Sequence, residues 1–139
     1  MLYSLVEVEL MYIACAYETG WKKTISPWCY SFNLETIQPF EYVDDLVQYW
    51  YNGYAFKITT RLACLAIRDA VLFFNDRRNR RSANIYFTDI SSVIHVLVHL
   101  GVYKGKKLNS KTFEMNSKRS WKASKIAGFA NNVALIFYS

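Results

Sequence analysis

The order in which apolar periods change along the chain constrains its fold more than any single motif. Residues 1–75 carry apolar side chains at three- and four-residue steps, and a strand–helix–strand pattern begins only after them. Leu5–Glu18 is dense in apolar residues, with Glu7, Glu9 and Glu18 its only charges, which predicts a mostly buried helix ended by Gly20. Trp21–Pro39 reads as irregular, because Pro27 and Pro39 bias the residues before them away from helix. Glu41–Asn52 predicts a second helix through Tyr42, Val43, Leu46, Val47, Tyr49 and Trp50, with Gly53 just past its end. Thr60–Asn75 predicts a third, capped by Thr59 or Thr60. Beyond a polar loop, Asn84–Thr88 predicts a strand, Ser92–Leu100 a helix closed by Gly101, and Val133–Tyr138 a last β-type run. Lys104–Ser124 reads as basic loop with some strand.

The expected fold class is therefore α/β: a helical portion over 1–75, then the last strands and a helix of an α/β core over 76–139. Two or three strands do not bury a parallel sheet by themselves, so association to cover an exposed sheet edge is expected.

Composition narrows the function classes. Hydrophobic residues make up 53% and aromatics 17%, which excludes a disordered tail. The net charge of +6 favours an anionic partner. It is uneven: residues 1–57 hold seven acids against Lys22, Lys23 and Lys57, and the other bases follow. No run approaches a membrane span, and Glu7 and Glu9 interrupt the first apolar stretch, so no signal peptide is expected. The three cysteines allow one bridge at most. Cys29 and Cys64 are a candidate pair with Cys15 a buried thiol, a choice that the sequence leaves open.

Candidate sites are few. Asp89, Ser91 and Ser92 stand at a strand-to-helix turn, where a side chain caps the helix or an anion meets its free N–H groups. His95 and His99 share one helix face, opposite the arc of Val93, Val96, Leu97 and Leu100, but no third ligand accompanies them and no metal site is expected. Arg77, Arg78, Arg80 and Arg81 form a basic run without interleaved aromatics, which favours a solvated loop over a nucleic-acid contact. CxxC, GxGxxG and P-loop motifs are all absent, so no redox, dinucleotide or nucleotide cofactor is expected.

Four segments in order carry a resemblance: "SPWC" (26–29), "EYVDDLVQYWYNGYAFKI" (41–58), "SVIHVLVHLGVYK" (92–104) and "KRSWKASKIAGFANNVALIFY" (118–138). Together they resemble the C-terminal part of the inositol polyphosphate phosphatases, a branch of the histidine acid phosphatases. The resemblance implies an α/β domain with a helical insertion. It implies phosphomonoester hydrolysis without metal or cofactor, with inositol polyphosphates as substrate class. In that chemistry a histidine of an RHGxRxP motif attacks phosphorus, arginines hold the phosphate oxygens, and a late carboxylate protonates the leaving alcohol. No Arg-His-Gly occurs in these residues. Aligned on Phe87, the late F-x-H-x-E-T pattern places Asp89 where the family has histidine and Ser91 where it has glutamate. Both are expected to be non-functional in catalysis. The resemblance also implies a lumenal or secreted setting, which would permit a Cys29–Cys64 bridge. The alternative is a non-enzymatic basic module whose loops at Arg77–Arg81 and Lys104–Lys111 engage an anionic partner such as an inositol polyphosphate, a nucleic acid or an acidic lipid.

Overall fold

A computed structural model describes residues 3–76, 82–113, 118–128 and 130–138. The chain forms two compact units, Met1–Asp44 and Asp45–Ser139. Among the described residues it is helical, with no strand.

In the first unit, α1 (Leu5–Lys22) starts at a capping box. Glu7 N–H donates to Ser4 Oγ at 3.3 Å, and Ser4 N–H donates to the Glu7 carboxylate at 2.7 Å. The Ser4 N–H, then the Ser4 hydroxyl that donates to the same carboxylate at 2.8 Å, favour the ionised form and hold Glu7 below its ordinary pKa. The helix continues through Gly20 to Lys22, and Lys23 (φ 56°) turns it off in the left-handed region. A 3-10 turn at Pro27–Ser31 packs back on α1. Buried Ser26 fastens it: its Oγ accepts from Trp28 N–H at 3.3 Å and donates to Glu18 at 2.9 Å, while its own N–H donates to Thr19 Oγ1 at 3.0 Å.

That packing decides the disulfide. It brings the Cα atoms of Cys15 and Cys29 to 4.8 Å, and these two are bonded. The expected Cys29–Cys64 pairing does not form; Cys64 is an exposed free thiol in the second unit.

The second helix, α2 (Leu34–Tyr51), begins well before Glu41 and runs through Pro39. Its start is fixed by a reciprocal pair: Thr36 N–H donates to Asn33 Oδ1 and Asn33 N–H donates to Thr36 Oγ1, both at 2.9 Å. Tyr12 stacks on Phe40 with centroids 5.1 Å apart, and Phe32 meets both rings edge-on. This cluster holds the proline turn helical against its local bias.

The second unit is organised around one buried charge. Asp45 is fully buried and pairs with Arg119 Nε, itself nearly buried; the Ala123 N–H donates to the same carboxylate. Trp121 Nε1–H donates to the Asp45 carbonyl at 3.2 Å, and the Trp121 ring meets Tyr49 and Tyr54 edge-on, each at 5.7 Å. Gly53 is required beside it, because a Cβ there would lie 2.8 Å from the indole and from Tyr49 Cα. Thr59 bonds backward to the Gly53 and Phe56 carbonyls instead of capping forward. It opens the 3-10 turn Thr59–Arg61, and α3 (Cys64–Asn75) follows. Helix α4 (Ile90–His99) buries Ile94 and Val98, and Gly101 (φ 76°) and Tyr103 (φ 60°) bend the chain after it. The short α5 (Ala123–Ile126) completes the set with buried Ala123 and Ile126.

The α/β expectation is overturned. Segments 84–88 and 133–138 make no ladder, so the expected strands and sheet are absent from the described residues, and with them the sheet edge that association was to cover. A strand is defined by its partner, not by its composition. The 133–138 run instead lays its side chains on α3. Phe137 stacks on Phe74 at 5.9 Å, and residues 134–137 line an apolar groove with Ile67, Ala70, Val71 and Leu100.

Candidate functional site

The turn into α4 is a capped helix start. Asp89 is the N-cap (φ −79°, ψ 169°), and its Oδ1 accepts from Ser92 N–H at 2.9 Å and Ser92 Oγ at 3.0 Å. The Ser92 backbone bond, then its hydroxyl, then the nearby His95 hold the Asp89 carboxyl below its ordinary pKa. Asp89 is thus an exposed, ionised hydrogen-bond acceptor. Ser91, the second residue of the helix, is half-buried, and Phe87, two residues before the cap, is 95% exposed. Tyr86 on the approach donates its phenol to Asp69.

The buried face of α4 is that of Ile94 and Val98, which lies beside the histidine pair and not in the arc of Val93, Val96, Leu97 and Leu100 opposite it. His99 Nδ1 donates to the Thr60 carbonyl at 2.8 Å, so Nε2 carries no proton in its neutral form. His95 is half-buried with Nε2 enclosed and unbonded; burial pushes its pKa down, partly opposed by Asp89. Among the described residues no three His, Cys, Asp or Glu side chains gather where they could hold a metal ion. Arg77, Arg78, Arg80 and Arg81 lie outside the described residues.

A second feature was not visible in the sequence. Lys107 Nζ sits 5.3 Å above the Trp50 ring, and Lys104 Nζ 6.0 Å from the Tyr54 centroid. Phe56 meets Trp50 edge-on at 5.6 Å. The Tyr54 hydroxyl donates to the Val102 carbonyl at 2.6 Å, and Ser120 Oγ to the Tyr103 carbonyl at 3.2 Å, which fixes the lysine-bearing turn. The one available signal was negative: neither 46–68 nor 90–113 contains an Asp or Glu.

The family model of the histidine phosphatase superfamily, branch 2, matches residues 4–139. The chain belongs to this family. Within the histidine phosphatases it is similar to the multiple inositol polyphosphate phosphatase 1 of Drosophila melanogaster, 33% identical over 143 residues that cover 99% of this chain and 30% of the relative. The Gallus gallus and Homo sapiens proteins of the same name are 28% and 24% identical, each over 94% of this chain and 31% and 29% of the relative. The chain thus spans just under a third of the length of these curated relatives. No solved structure matches it.

Proposed function

We propose that this chain is part of a phosphomonoester hydrolase scaffold directed at inositol polyphosphates, and that these 139 residues alone do not turn the ester over. Family membership and the likeness to inositol polyphosphate phosphatases support the first half. One observation carries the second: the carboxylate at the turn into α4 is spent as a helix cap. A general acid must hold a proton at working pH. The Ser92 donors favour the ionised form of Asp89 instead. An ionised Asp89 also opposes a phosphate. Two unit charges about 4 Å apart repel by roughly 4 kcal/mol at an effective dielectric near 20. Ser91, where the resemblance expects glutamate, has no acidic proton at neutral pH. The Arg-His-Gly nucleophile motif does not occur in these residues. The Cys15–Cys29 bond supports an oxidising compartment.

The test is phosphate release from inositol hexakisphosphate and para-nitrophenyl phosphate by the purified chain at acid and neutral pH. No turnover is expected, and Asp89→Asn should change nothing. Catalytic release that Asp89→Asn abolishes would overturn the reading.

A further inference from the structure

The rings and lysines of the second unit make a surface that the proposed chemistry does not use. The lysines follow the C-terminal end of α4, a ten-residue helix of about 15 Å whose other end carries Asp89. Phe56 is 52% exposed and Trp50 36%, while Lys104, Lys106 and Lys107 are all exposed. No described carboxylate pairs with any of the three lysines, and both contributing segments, 46–68 and 90–113, are free of acids. Among the described residues the charge there is uncompensated, and it sits beside apolar ring edges.

We infer that the Trp50–Phe56–Lys107 ledge, with Lys104 over Tyr54, is a docking surface for an anionic lipid bilayer. Charge complementarity chooses an anionic occupant, and the exposed rings choose among anions. A small soluble polyphosphate needs donors converging on a concave site. Here Lys104 and Lys107 lie over two different rings. A single-stranded nucleic acid needs open aromatic faces for its bases. One face of Trp50 is covered by Lys107, and Phe56 stands against the same ring in a T-shaped contact. A bilayer surface uses both components as they stand. Trp and Phe enter the headgroup layer, and lysine stems lie along the rings while their ammonium groups reach lipid phosphates and carboxylates. Each lysine near such a surface raises partitioning about fivefold.

The experiment is sedimentation of the chain with phosphatidylcholine vesicles, with and without phosphatidylserine. Binding should require phosphatidylserine and weaken as salt rises. The Lys104→Gln/Lys107→Gln pair should lower partitioning about 25-fold, by two such factors. Phe56→Ser should lower it further at unchanged charge. Lys22→Gln/Lys23→Gln, a pair in the other unit, should leave it unchanged. Unaltered circular dichroism would confirm that each variant folds. Equal binding to neutral vesicles, no vesicle binding, or binding only to inositol hexakisphosphate or an oligonucleotide would each overturn the inference. The readout does not involve phosphate release, so it stands or falls separately from the proposed hydrolase role.

Discussion

Asp45 and Asp89 both accept a backbone N–H, from Ala123 and from Ser92, yet the first is sealed from solvent and the second is open to it. At Asp45 the charge is met by the Arg119 guanidinium, and the residue's carbonyl accepts from Trp121, whose ring packs against Tyr49 and Tyr54. At Asp89 the partners are Ser92, the backbone of Ser91 and a half-buried histidine. The position that the family resemblance marks as chemical is the loosely held one. The tightly held one ties α2 to 119–123. Identical side chains thus divide into a fold determinant and a local cap according to how completely water has been replaced.

The sharpest way to break this contrast is to remove one partner of the buried pair. Asp45→Ala should destabilise the chain by about 3–5 kcal/mol, because the nearly buried Arg119 guanidinium loses its buried carboxylate partner. Replacing both ends, as Asp45→Leu with Arg119→Met, should recover part of that loss, leaving the Ala123 N–H unpaired. Urea unfolding reads both values. If Asp45→Ala is no worse than Asp89→Ala, the contrast fails.

Next in size is Gly53→Ala, which drives a methyl into the Trp121 ring and should cost about 1–3 kcal/mol by overpacking. A shift of the near-ultraviolet circular dichroism of Trp121 should accompany it. An unchanged melting temperature would show that the tryptophan is not tightly seated.

The smallest effects lie at α4 and are read from pH. His95 has a folded pKa below its ordinary 6.5, so the unfolded chain takes up the proton first. Stability should therefore be flat above about pH 6.5 and decline as the pH falls below it, and His95→Gln should remove that decline. Asp89 also has a lowered folded pKa, so its contribution persists above its ordinary 3.8 and disappears only at more acid pH. Asp89→Asn, an equally good cap, should remove only the acid step and leave the His95 step almost intact. A single merged transition insensitive to His95→Gln would contradict the assignment.

The helices were legible because their apolar steps are local. Tyr42, Leu46, Tyr49 and Trp50 predict α2, and the apolar density of Ser92–Leu100 predicts α4 without singling out Ile94 and Val98 as its buried pair. The start of α2 was missed because the rule about residues before proline is local too. The Asn33–Thr36 pair and the Tyr12–Phe32–Phe40 cluster outweigh it from outside that window. The strands were misread because Ile85, Tyr86 and Phe87 have β-type side chains, while pairing depends on what lies alongside. At the site, the position of Asp89 was readable as a cap, since an acid three residues before a serine N–H is a local arrangement. The lysine–aromatic ledge was not, because Trp50 and Lys107 meet only through the tertiary fold.

The Cys15–Cys29 bond leaves a chain of three cysteines with an odd number of sulfhydryls. Cys64 can therefore form a mixed disulfide with a small molecule or a covalent dimer with another copy, without disturbing the bridge in the first unit. A dimer seen on a non-reducing gel and lost on reduction would report air oxidation at that sulfur rather than an association built into the fold.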